Sequence, residues 1–175
     1  MLTNSDNNTA EMILKSIGLA AKNVASTTAG AQVMLEKLGE WGFPTAGVVI
    51  NDGSGLDRSN RMSCNLLTSL LETDAGKSLM TKMAIGGTSG TLIESFTEPP
   101  AAGVVRAKTG SLTGVKALSG FASDKPGAPI FSLIFNGNGV NDAAYFRPRW
   151  TELLSLIYSY PNAPVAPKLD LHGSS

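Results

Sequence analysis

The chain has 175 residues, 42% hydrophobic and 16% charged, which suits one globular domain or the larger part of one. Its 14 basic and 14 acidic side chains cancel, so no basic excess marks a nucleic-acid partner and no charged run marks a polyelectrolyte tail. One cysteine, Cys64, excludes an internal disulfide and a cysteine-rich zinc site. From Thr3 the residues after Met1-Leu2 are polar rather than an apolar stretch, so no secretory leader is read there, and no apolar run approaches the roughly 18 residues of a membrane span.

In chain order, apolar residues at Ala10, Ile13, Leu14, Ile17 and 19–21 recur at helical spacing. Ser5 or Asp6 can cap that helix, and Glu11 lies early enough to favour its dipole. A second helix is predicted from about Thr28 to Trp41. Its buried side is Ala31, Val33, Met34, Leu35 and Leu38, and Gly39 and Gly42-Phe43-Pro44 end it. Ala46 to Ile50 reads as a short strand. Residues 51–56 carry turn chemistry, with Asp52 stabilising the loop rather than acting as an acid. Ser63 is predicted to cap a helix from Asn65 to about Leu71, with Cys64 in the core, and another short helix covers Lys77 to Met83.

Gly86-Gly87-Thr88-Ser89-Gly90 reads as a loop. The β-branched pair Val104-Val105 opens a strand that breaks on Gly110 and Gly114 and returns through Ala117 to Ala122. Ile130 to Phe135 is a third strand, apolar enough to be central. A last helix spans Thr151 to Tyr158, with Pro148 just before it. Residues 161–175, with three prolines and the single histidine His172, read as a flexible tail. The fold class is therefore α+β, with three strands paired late in the chain.

Several short motifs fail. Gly76-Lys77-Ser78 resembles the end of a phosphate-binding loop, but Leu71 stands where its first glycine belongs. The glycines at 86–90 follow no strand of a βαβ unit. There is no Gly-x-Ser-x-Gly elbow with a core histidine, and no metal-ligand spacing. Two patterns remain: Ser5-x-Asn7 ahead of a helix, and Lys108-Thr109-Gly110 at a strand end. A lysine, hydroxyls and a glycine there can hold an anion close to the backbone. In this order they match two of the three signatures of the serine penicillin-binding enzymes.

The match extends further. Ser5-Asp6-Asn7-Asn8-Thr9-Ala10-Glu11, Asp52-Gly53-Ser54-Gly55-Leu56, Gly90-Thr91-Leu92, the block Arg106 to Val115 and Gly120-Phe121 resemble, in the same order, the class C low-molecular-mass penicillin-binding proteins. These are D-alanyl-D-alanine carboxypeptidases and endopeptidases of the cell wall. The resemblance implies the C-terminal part of a β-lactamase/transpeptidase-like fold, an antiparallel sheet packed with helices, over residues 1–160. It implies catalytic roles for Ser5 (proton relay), Asn7 (holding the substrate carbonyl) and Lys108 (positive potential). Thr109, Gly110 and Ser111 would bind the substrate and its terminal carboxylate, and the Ser111 amide would serve an oxyanion. Arg106 is left as a solvated charge without a role.

The implied partners are a peptidoglycan stem peptide ending in D-Ala-D-Ala and β-lactam antibiotics, with no cofactor, metal or nucleic acid. The implied location is periplasm or cell wall. The family's remaining signature, Ser-x-x-Lys with the nucleophile, has no counterpart: no serine here has a lysine three residues on. The expectation is thus a fragment lacking its nucleophile, with a non-catalytic peptidoglycan-binding remnant as the second reading. A serine β-lactamase fits the extended lysine block less well.

Overall fold

The computed structural model describes residues 1–160, so the readings of a flexible tail and of His172 fall outside the described residues. Helix α1 (Asn7–Lys22) starts where the Asp6 carboxylate accepts the Thr9 amide at 2.9 Å, and it stops where Asn23 turns left-handed at φ 56°. Helix α2 (Thr27–Glu40) starts on the Ser26 hydroxyl in the same way. The two helices pack closely because Gly30 has no side chain: a Cβ there would lie 2.0 Å from the Leu14 carbonyl oxygen. Leu14, Ala31, Val33 and Leu38 are buried, whereas Leu35 is exposed, so the predicted stripe is one residue too wide.

Ser63 caps helix α3 (Cys64–Glu72), its hydroxyl accepting the Leu66 amide at 3.1 Å. Cys64 is the first residue of that helix and only half-buried, so it does not belong to the core. Thr73 ends α3 and caps helix α4 (Asp74–Leu79), which tightens into a 3-10 turn at Met80–Lys82. The predicted Lys77–Met83 helix therefore starts a turn too late, because Thr73 serves two helices at once. The predicted strand at 46–50 reduces to one bridge between Val49 and Arg61.

The sheet is antiparallel in the order β1 (Ala84–Ile85), β2 (Arg106–Leu112), β3 (Val115–Phe121), β4 (Ile130–Asn136). Among the described residues it has four strands, not three; the extra one is two residues long, too short to show a period. Lys108, Ser119 and Ser132 stand opposite one another and share one face, and Ala107, Gly120 and Phe131 share the other. Behind the second face lies helix α5 (Ala143–Ser159), whose Phe146, Trp150 and Leu154 form a buried stripe against Ala107, Leu118 and Phe131. On the first face Leu71 and Met83 pack on Phe121.

Helix α5 begins eight residues earlier than the predicted Thr151, and Pro148 sits inside it. Proline removes one helical hydrogen bond, but Pro148 is on the exposed side, where water can satisfy the freed carbonyl. Asp142 caps the start, accepting the Ala144 amide at 2.9 Å. Burying Phe146 and Trp150, at roughly 1.5–3 kcal/mol per large apolar side chain, outweighs the lost bond. Arg106 is not a solvated charge: its side chain is 15% exposed, donates to the Gly103 carbonyl and pairs with Asp124 at 3.1 Å. No helix among the described residues is long and apolar enough to cross a membrane.

Candidate active site

Strand β1 covers only Ala107 and Arg106, so beyond Ala107 no strand pairs with the outer edge of β2 among the described residues. In an antiparallel ladder alternate residues turn their amide and carbonyl outward. The edge at Lys108 to Leu112 therefore offers free backbone groups to an extended ligand. It faces an open hollow of about 930 Å³ between β2, the start of α1 and the 53–62 loop. Ser5, Asn7, Lys108, Thr109, Gly110 and Ser111 all line it.

Lys108 joins the two motifs. Its Nζ donates to Ser5 Oγ at 2.7 Å, across 103 positions of sequence, and also to the Thr109 carbonyl. Burial pushes the Lys108 ammonium below its ordinary value. Because Ser5 Oγ accepts from the lysine, its own hydrogen is free to donate into the hollow. Ser5 has φ 55°, an uncommon conformation for a residue with a side chain, fixed where the Asp6 amide turns back to the Met1 carbonyl at 3.2 Å. The cap of α1 is Asp6, which leaves the Ser5 hydroxyl unspent on the helix. Asn7, the first residue of α1, is exposed at the rim.

The segment ahead of Ser5 is pinned on both sides. Thr3 Oγ1 donates to the Lys82 carbonyl at 2.7 Å, and the Thr91 amide donates to the Thr3 carbonyl at 3.2 Å. Gly90, at φ 59°, allows this approach, since a Cβ would sit 2.2 Å from that carbonyl oxygen. Thr109 Oγ1 in turn donates to Thr91 Oγ1 at 2.8 Å. Thr91 thus ties the residues before α1 to β2. Sequence reasoning quoted Gly90-Thr91-Leu92 without giving it this job.

Glu11 was also misread. It lies beyond the first turn of α1, and its Oε1 accepts the amides of Gly53 and Ser54 at 3.0 and 2.9 Å. Gly53 is needed there, because a Cβ would lie 2.5 Å from the Ala10 carbonyl oxygen. Asp52 stabilises the loop as expected, accepting the Gly55 amide at 2.8 Å, the Asp57 amide at 2.6 Å and Asn60 Nδ2 at 2.8 Å. Burial pushes its carboxyl up, but the bonds from Asn60, Asp57 and Gly55 win and hold it below the usual range.

Residues 1–154 match the D-Ala-D-Ala carboxypeptidase 3 (S13) family. The chain belongs to that family. The S13 relatives include a D-alanyl-D-alanine carboxypeptidase of an Actinomadura species, 36% identical over 143 residues, covering 77% of this chain and 27% of the relative. Carboxypeptidase DacB of Mycolicibacterium smegmatis is 35% identical over 150 residues, covering 79% of this chain and 33% of its own. The chain thus spans about a third of the length of the curated relatives it matches. Among solved structures, penicillin-binding protein 4 of Haemophilus influenzae, complexed with a β-lactam, superposes with a TM-score of 0.76. It is 28% identical and covers 88% of this chain and 40% of that one. A predatory peptidoglycan endopeptidase of Bdellovibrio bacteriovorus shares the fold, with a TM-score of 0.68 at 22% identity over 95% of this chain and 43% of its own. The resemblance to class C low-molecular-mass penicillin-binding proteins and the α+β transpeptidase-like fold are both borne out.

Proposed function

We propose that this chain supplies the lysine-and-hydroxyl side of a serine-type D-alanyl-D-alanine carboxypeptidase/endopeptidase site that works on peptidoglycan stem peptides through an acyl-enzyme. The observation that carries the reading is the Lys108–Ser5 hydrogen bond, which brings two distant family motifs together at the free edge of β2. No serine of the chain has a lysine three residues on, so on this reading the attacking hydroxyl comes from outside these 175 residues.

The stem peptide lies as an added strand along β2, where Gly110 leaves room for its backbone. Asn7 donates to the carbonyl of the peptide and orients it. Serine attacks the carbonyl between the two D-alanines, passing its proton to the lysine of its own Ser-x-x-Lys signature and on toward Ser5, and the Ser111 amide stabilises the oxyanion. As the carbon–nitrogen bond breaks, Ser5 delivers a proton to the leaving amine, with Lys108 beside it holding positive potential. Thr109 and Ser111 hydroxyls bind the terminal carboxylate, Thr109 by turning its hydrogen from Thr91 Oγ1 to the ligand. Water then attacks the acyl-enzyme, freeing the shortened peptide and the serine. A β-lactam enters the first half of this sequence, and the β-lactam complex of the Haemophilus relative supports that reading. The reaction belongs in the periplasm or cell wall, where the substrate is.

The test is penicillin labelling of the full-length protein and of its Lys108→Ala variant. Loss of labelling by roughly 10²-fold, the scale of one lost stabilising group in an active site, is expected. Unchanged labelling in the variant would overturn the assignment. Saturable binding of a D-Ala-D-Ala peptide with neither labelling nor turnover would instead favour a binding remnant.

A further inference from the structure

The turn from β2 to β3, at Thr113-Gly114, is held by two side chains from other parts of the chain: Arg58 Nη1 donates to the Thr113 carbonyl at 2.6 Å, and Asn141 makes the rest of the contacts. Asn141 lies just ahead of α5. Its Oδ1 accepts the Gly114 amide at 2.8 Å. Its Nδ2 faces three acceptors: the Leu112 carbonyl at 3.0 Å, the Val115 carbonyl at 3.0 Å and Ser111 Oγ at 3.3 Å. A carboxamide nitrogen has two hydrogens for these three acceptors, so Ser111 Oγ shares one of them with a carbonyl in a three-centre bond. The orientation follows from the partners: an amide donor can meet only the oxygen and a carbonyl only the nitrogen.

One of those contacts reaches the site. Ser111 is exposed at the mouth of the hollow, and a free serine hydroxyl there would rotate among donor and acceptor roles. With Asn141 donating to Ser111 Oγ, a lone pair of that oxygen is occupied and its hydrogen is directed elsewhere. The hydroxyl becomes a committed donor, the role an anionic ligand group demands. Fixing it beforehand spares the ligand the cost of ordering it.

We propose that Asn141 is a positioning residue that sets the Ser111 hydroxyl as a donor to the substrate's terminal carboxylate. This rests on the carboxylate-binding role given to Ser111 above. Asn141 touches no substrate; it acts through Ser111. It also locks the turn, so a structural role must be separated from the positioning one.

The experiment compares full-length protein, Ser111→Ala, Asn141→Ala, Asn141→Asp and the Ser111→Ala/Asn141→Ala double variant. Each is assayed on a peptide ending in D-Ala-D-Ala and on its C-terminal amide, which lacks the charge. The expected result is that Asn141→Ala lowers kcat/KM roughly tenfold for the acid, mainly through KM, and far less for the amide. The double variant should be no worse on the acid than Ser111→Ala alone. Asn141→Asp keeps the bond to Gly114 but loses the donor and adds a negative charge, so it should reject the acid more strongly than Asn141→Ala. That variant also keeps the test open if Asn141→Ala does not fold. Equal losses on acid and amide, or losses that add to those of Ser111→Ala, would overturn the proposal and leave Asn141 a turn clamp. If Ser111→Ala itself leaves the preference for the acid unchanged, the carboxylate role of Ser111 is what fails.

Discussion

At Lys108, burial and hydrogen bonding act in opposite senses. Leaving water favours the neutral amine, while Ser5 Oγ and the Thr109 carbonyl accept from the ammonium. Burial wins, so the group loses its proton at a lower pH than a free lysine. If its positive charge is what the site uses, penicillin acylation of the full-length protein should fall on the alkaline side before pH ~10.4, the ordinary lysine value. Lys108→Arg, which keeps its charge, should move that fall upward even where it slows the reaction. An alkaline limb unmoved by arginine would assign it to another group. Trp150 presents a different residue-scale conflict. It is 1% exposed and its indole Nε1 has no partner among the described residues, so a buried donor is left unmet. Trp150→Phe removes that donor along with some packing and should cost within about 1 kcal/mol, against about 3–5 kcal/mol for Trp150→Ala, in urea unfolding.

At the scale of elements, the loop at 52–60 and the helix pair α1–α2 place Ser5 and Asn7. Glu11→Ala strips two amides of their acceptor and should cost about 2 kcal/mol, with faster hydrogen exchange at Gly53 and Ser54 while α1 stays protected. Exchange unchanged at those two amides would remove Glu11 from the loop's support. Gly30→Ala forces a methyl group against the Leu14 backbone and should cost about 3 kcal/mol in the same unfolding measurement. What the sequence made legible follows the range of the forces involved. Caps at Ser63 and in the Ser5-Asp6 pair, the β2–β3 hairpin and β4 are set by neighbours within a few residues and were readable, although β2 starts at Arg106, two residues after the predicted Val104. The start of α5 was not, because its apolar stripe of Phe146, Trp150 and Leu154 overrides Pro148 only once the sheet is there to cover it. The strand at 46–50 failed for the opposite reason: its composition is right, but Arg61 alone bridges to it. Within the site, Ser5, Asn7 and the Lys108 block were singled out by resemblance to family motifs, which are local, and the structure brings them to one hollow. Thr91, Glu11 and Asn141 were not, because each acts on a partner 18 to 42 positions away.

Across the whole molecule, the sheet ends on β4, whose residues Ile130-Phe131-Ser132-Leu133-Ile134-Phe135 carry no charge. No strand among the described residues pairs with its far side, and a long uncharged edge invites pairing with another chain. The 175-residue chain by itself should therefore associate as its concentration rises, seen by sedimentation. A monomer that melts sharply and independently of concentration would contradict this.

The packing has more than one centre. Trp150, Leu118 and Phe131 fill one cluster behind the sheet; Leu38, Val48 and Leu66 fill another between α2 and α3. Ser5 approaches Lys108 only at the border, through Lys108 Nζ, Thr3 and Thr91. Those few polar bonds bury little apolar surface, whereas each cluster is held by apolar packing. Warming should therefore separate Ser5 from Lys108 first. On the proposed function, penicillin labelling of the full-length protein would then begin to fail several degrees below its main calorimetric transition and recover on cooling.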